Sequence, residues 1–210
     1  MRTLIEPSKV AGSGRAPLSY AAKNGHEEVL KLLLRREDLN SNIGGTDDAA
    51  CAPLALAVEN GREGMVKMLL KCPTINPNPE KGWAPLAKAA ERGLTSLVSL
   101  LLYRADIDSN IANPPYSRTP LMWAVKGGHV EIVEMILAKP GVDPNIPGEE
   151  ESTPLHIAVD SGKLSVIKLL LADSSINLNQ GGQEWSKASI AGGAGWIVGD
   201  GKNLTCPLGH

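Results

Sequence analysis

Short apolar clusters at helical spacing alternate with polar stretches along most of the chain, and the alternation repeats. The stretch "TPLHIAV" at Thr153–Val159 has counterparts in "APLSYAA", "APLALAV", "APLAKAA" and "TPLMWAV". Their prolines are Pro17, Pro53, Pro85, Pro120 and Pro154, at intervals of 36, 32, 35 and 34 residues. Eight residues after each proline stands a glycine: Gly25, Gly61, Gly93, Gly128 and Gly162. Two apolar side chains follow that glycine by four and five residues, from Val29/Leu30 to Val166/Ile167, and a run of apolar residues comes next. Each copy then reaches an apolar-(Asp/Asn)-x-Asn signal, 22 residues past its proline: "LNSN", "INPN", "IDSN", "VDPN" and "INLN".

This pattern predicts two short helices per copy. Proline fits the first turn of a helix, where its missing N–H costs nothing. The leucine after it and the small residues four and five positions on share one face, and alanine there lets neighbouring helices approach closely. Glycine suits the left-handed residue that ends a short helix. A helix of two or three turns is unstable alone. Each copy must bury its apolar face on the next, so the fold predicted is a stack.

The five copies resemble the ankyrin repeat. The family signature Thr-Pro-Leu-His-x-Ala is matched in full at Thr153–Ala158, and the other copies keep Pro-Leu-x-x-Ala. The resemblance implies an all-α solenoid of helix-turn-helix units joined by β-turn fingers. It implies five repeats over 15–180, at about 15–48, 49–80, 81–115, 116–149 and 150–180. Residues 1–14 are expected to form a partial N-terminal cap. Residues 181–210 are expected to form a degenerate sixth repeat or a cap with a Gly-rich tail, because "AGGAGWIV" at Ala191 is similar to "KGGHVEIV" at Lys126. The resemblance also gives Thr153 the role of helix cap and His156 that of its hydrogen-bonding partner. Ser152, His156 and Asp160 are therefore read as architecture. Their spacing on one helix does not orient a nucleophile, a base and an acid.

Composition narrows the function classes. Aromatic residues make up 3% of the chain and phenylalanine is absent, so the core must be aliphatic. The net charge of −2 has no basic excess that would point to nucleic acid. No apolar run approaches membrane-spanning length, and the first residues do not read as a secretory signal. Cys51, Cys72 and Cys206 follow no metal spacing and read as free thiols of a cytoplasmic or nuclear protein. The segment "GWIVGDGKN" fails as a phosphate loop, having Trp196 at the first glycine position and Asn203 after the lysine. No metal, cofactor or catalytic group is expected.

The unit from proline to the Asn signal keeps its length, and all variation falls in the connections of 14, 10, 13 and 12 residues. In solenoids such variation marks the face that binds. These fingers carry Asp47 and Asp48, then Glu80, Lys81 and Trp83, then Tyr116 and Arg118, then Glu149, Glu150 and Glu151. The resemblance places a second surface on the concave side, at the ends of the first helices: Lys23/Asn24, Glu59/Asn60, Glu91/Arg92, Lys126/Gly127 and Asp160/Ser161. Trp123, three residues past its proline, reads equally as a concave anchor or as packing between repeats. Any one of these charges alone is explained by solvation. Together with the aromatic residues they suggest a surface for a protein or peptide partner. The function expected is a monomeric, non-enzymatic interaction scaffold or adaptor. The alternative is that the chain is a fragment of a larger ankyrin protein whose activity lies in a missing domain.

Three copies carry alanine (Ala16, Ala52, Ala84) where the other two carry Thr119 and Thr153. Each lost hydroxyl cap costs about 0.5–2 kcal/mol. Amide hydrogen exchange is therefore expected to be faster across residues 15–110 than across 119–171. Uniform protection along the chain would count against this.

Overall fold

Each repeated proline opens a helix. In the computed structural model the first helices are α1 (Pro17–Asn24), α3 (Pro53–Glu59), α5 (Pro85–Glu91), α7 (Pro120–Gly127) and α9 (Pro154–Asp160). Their partners are α2 (Glu27–Leu34), α4 (Glu63–Leu70), α6 (Thr95–Leu102), α8 (Val130–Leu137) and α10 (Leu164–Ala172). The structure describes residues 16–36, 42, 52–79, 82–112 and 117–180. It adds one antiparallel pair of two-residue strands, β1 (Ile197–Val198) and β2 (Leu204–Thr205). The expected cap at 1–14 and the rest of 181–210 lie outside the described residues. Every first helix packs on the next first helix, and every second helix on the next second helix. Two ranks result, as the all-α solenoid requires.

All five helix-ending glycines take positive φ, between 62° and 79°. At Gly93 a second constraint applies. A Cβ there would lie 2.6 Å from the ring of His129, which reaches back from the following repeat. Arg62 lies over Gly25 and Lys163 over Gly128 in the same way. The turn of one repeat is thus the seat for a side chain of the next.

Leu18, Leu54, Leu86 and Leu121, one from each of the first four prolines, are buried in the first-helix rank. Ala21, Ala57, Ala89, Ala124 and Ala158 are buried where neighbouring helices approach. Leu30, Val66, Val98 and Val133 do the same for the second rank. Each fully buried leucine contributes about 1.5–3 kcal/mol relative to an exposed one. That gain needs two repeats. At the ends of the described stack other apolar side chains stay open: Val29 and Leu32 in α2, Val159 in α9, and Leu164 and Leu171 in α10 are exposed.

The Asn signal has a role that its spacing alone did not reveal. Its last asparagine clamps the next repeat by two bonds. The Asn110 side chain donates to the Gly141 carbonyl (2.7 Å) and accepts from the Asp143 amide (2.9 Å). Asn78 does so with Asp106 and Asp108, and Asn145 with Ser175 and Asn177. Asn42 does so with Thr74 and Asn76. The earlier Asp or Asn only accepts, from the amide two residues on, at 2.8–3.0 Å in Asn76, Asp108, Asp143 and Asn177. An acceptor suffices there, so the sequence alternates freely between Asp and Asn. The last position needs a donor and an acceptor together, and asparagine supplies both.

Two cations tie helix ends across repeats. Arg104 donates to the Leu70 carbonyl at the end of α4 (3.1 Å), and Lys139 to the Leu102 carbonyl at the end of α6 (2.7 Å). A cation at a helix C-terminus is favoured by the unpaired carbonyls. Arg104 is itself held by Asp106 (2.7 Å), and this hydrogen bond keeps the Asp106 carboxyl below its usual range.

The capping expectation is met residue by residue. Ala16, Ala52 and Ala84 offer no side-chain cap. Thr119 accepts from the Met122 amide at 3.3 Å. Thr153 and His156 form a reciprocal box: the Thr153 amide donates to His156 Nδ1 (3.1 Å), and the His156 amide donates to Thr153 Oγ1 (3.5 Å). Nδ1 must be unprotonated to accept, and burial lowers the His156 pKa. The unfolded chain then binds this proton more readily than the folded one. Stability is intact above the unfolded value near 6.5 and declines as pH falls toward the lower folded value. Acidification from about pH 7.5 to about pH 5 should lower the wild-type melting temperature more than that of His156→Ala. An equal drop in both proteins would show that this box does not titrate.

Candidate functional site

The expected contact residues fall along the solvent side of the first-helix rank and at the finger bases. Asn24, Glu59, Asn60, Arg92, Lys126 and Asp160 are exposed at or next to the ends of first helices, and Lys23 and Glu91 are half-buried there. Some are already engaged. Asn60 donates to the Leu56 carbonyl (2.8 Å), closing α3. The Arg92 guanidinium donates to the Glu59 carbonyl of the preceding repeat. Glu149 and Glu150 are exposed in a 3-10 turn, with Glu150 at φ 57°; the Ser152 hydroxyl donates to the Glu149 carbonyl at 2.8 Å. Asp47, Asp48, Lys81 and Tyr116 lie outside the described residues.

Between the third and fourth repeats the two sets of residues meet. Trp83, at the base of the second finger, stacks on Trp123 of α7 with ring centroids 5.1 Å apart and planes tilted by 47°. Three cations lie over these rings. Lys88 Nζ is 4.4 Å from the Trp83 centroid. Arg118 Cζ is 5.2 Å, and Lys126 Nζ 5.6 Å, from the Trp123 centroid. Lys88 also pairs with Glu91 at 2.8 Å. Each cation is drawn to the negative face of an indole, by about 0.5–1 kcal/mol at exposed sites. The result is a pair of stacked indoles with three cations over their faces.

Trp123 was open between two roles, and its 5% exposure places it in the packing between repeats. Trp83, half-buried above it, carries the accessible indole surface. Lys88 is the member not singled out among the candidates. It stands three residues past Pro85, in the same row as Trp123 three past Pro120, and that row alone did not mark it as a contact. The cluster has the makings of recognition, an aromatic surface and oriented charges. Ser152, His156 and Asp160 do not assemble into a reacting group. The serine closes a finger turn, the histidine caps α9, and the aspartate stands exposed at the end of that helix.

Among the described residues no helix is long and apolar enough to cross a membrane. No curated protein matches the chain. A family model described as Ankyrin repeats (3 copies) matches residues 1–81 and 86–182. With the repeated helix pairs, the positive-φ glycines and the Thr-His capping box in place, this match establishes that the chain belongs to the ankyrin-repeat family.

Proposed function

We propose that this chain is a non-enzymatic scaffold or adaptor. It recruits a protein partner through the finger bases and the exposed ends of its first helices. Ankyrin repeats are generally protein–protein interaction modules, and domains built from them are typically non-catalytic. The observation that carries the reading is the tryptophan pair under three cations, where a finger meets the first-helix rank. Aromatic and arginine side chains dominate binding energy at interfaces. A surface held on packed helices also loses little freedom on binding. The exposed Glu149 and Glu150 extend this surface, and the sequence adds Asp47, Asp48, Lys81 and Tyr116 as further candidate contacts. The chain would act as a monomer in the cytoplasm or nucleus.

A quantitative pull-down from native lysate compares the wild type with a variant carrying Trp83→Ala, Glu91→Ala, Tyr116→Ala and Arg118→Ala. Circular dichroism checks that both are folded. A protein retained by the wild type and lost by the folded variant is the expected outcome. Equal retention by both would remove the cluster from the binding surface.

A further inference from the structure

We propose that the C-terminal end of the described stack binds an extended segment of a partner protein, with Ile or Val at its centre, gripped through its backbone by Asn179. This adds a second surface to the scaffold reading and does not rest on it. Asn42, Asn78, Asn110 and Asn145 each donate to a carbonyl of the next repeat and accept from the amide two residues further on. Asn179 is the fifth of this series. Its amide donates to Asn177 Oδ1 (3.0 Å), as the Asn110 amide does to Asp108 and the Asn145 amide to Asp143, so the local turn is the same. Its side chain is exposed and has no hydrogen bond among the described residues.

Apolar rows open at the same end. Val159 is 42% exposed, while Ala22, Val58, Ala90 and Val125 in its row are buried. Leu178 is 51% exposed, while Pro77, Ser109 and Pro144 in its row are buried. Leu171 is exposed where Leu34, Leu70, Leu102 and Leu137 are half-buried. The end face thus continues the series of repeat junctions, with its apolar seat uncovered and its clamp unfilled.

The inner junctions define what fits. Between the carbonyl and the amide held by each asparagine stands one residue: Ile75, Ile107, Val142 or Ile176. Ile75 and Ile107 are buried, and Val142 and Ile176 pack partly buried against the core. All four are β-branched, the type suited to extended backbone. A carbonyl and an amide two residues apart point to the same side of an extended chain, so one side chain with a donor and an acceptor reads both. Backbone bonds then supply affinity and the central side chain specificity, as when a peptide is added to the edge of a sheet. At the inner junctions the groups held lie 28 to 34 residues past the asparagine. Pro207, Leu208, Gly209 and His210 stand at that distance from Asn179, and none is β-branched. This favours a segment from another protein.

The test is selection from a phage-displayed library of random peptides, with the full chain as bait, followed by fluorescence anisotropy of the enriched peptides. The expected result is a consensus centred on Ile or Val. Binding should weaken about tenfold or more in Asn179→Asp, which loses the donor and keeps the shape. It should weaken similarly when the peptide amide next after the central residue is N-methylated, because the clamp then has no N–H to accept. Asn179→Asp should leave the melting temperature unchanged, whereas Asn110→Asp, whose clamp is filled within the chain, should lower it. No enrichment, a consensus without a central β-branched residue, unchanged binding by Asn179→Asp, or full binding of the N-methylated peptide would each overturn the proposal. A melting temperature lowered as much by Asn179→Asp as by Asn110→Asp would overturn it in favour of the chain's own residues beyond 180. Sedimentation of the wild type as a dimer or larger, with Asn179→Asp monomeric, would overturn it in favour of a second copy. The scaffold reading is decided separately, by the pull-down with the Trp83-containing variant.

Discussion

The asparagine that ends each of the first four repeats holds the backbone of the next one at two points, and the stack depends on that clamp and the burial beside it. Helices of seven to nine residues do not persist alone. They persist here because Leu and Ala on one repeat are covered by the next. The clamp fixes the register in which this covering occurs. It joins the same pair of positions in successive repeats at four junctions, from Asn42 with Asn76 to Asn145 with Asn177. Arg104, Lys139 and His129 add bonds or contacts across the same junctions. Stability in such a chain is a sum over neighbours.

That constraint divides the molecule by freedom. From proline to asparagine the spacing cannot change without breaking a clamp or exposing a core leucine. The connections carry no such burden, and there the lengths and charges differ. The cluster at the third and fourth repeats lies on the border between the two. Trp123 is fixed from below by the helix rank. Trp83 is carried in by a finger and comes to rest on it. A variable element thereby gains a defined orientation from an invariant one.

The cations over the indoles also show how a nearly aromatic-free chain can use its few large rings. Apart from Trp123 the buried core is built from Leu, Ile, Val, Ala and Met. Placed at a junction between repeats, the two tryptophans bury area against each other and orient Lys88, Arg118 and Lys126. The same packing that stabilises the junction holds the charges in fixed directions.

The sequence by itself determined the repeat, its helix pairs, the glycine turns and the capped and uncapped helix starts. These follow from local rules, because the position of Pro17 or Gly25 within one copy is enough to read them. It marked the Asn signal without its purpose, since the partner of Asn110 lies about thirty residues away and is reached only when two copies stack. It left Trp123 open and passed over Lys88 for the same reason. Whether a residue on a short helix faces solvent or a neighbouring repeat is decided by the neighbour. Only the tertiary structure brought Trp83 onto Trp123, Arg104 onto the end of α4, and Lys139 onto the end of α6. Each of those contacts joins different repeats, and spacing within one copy carries no record of them.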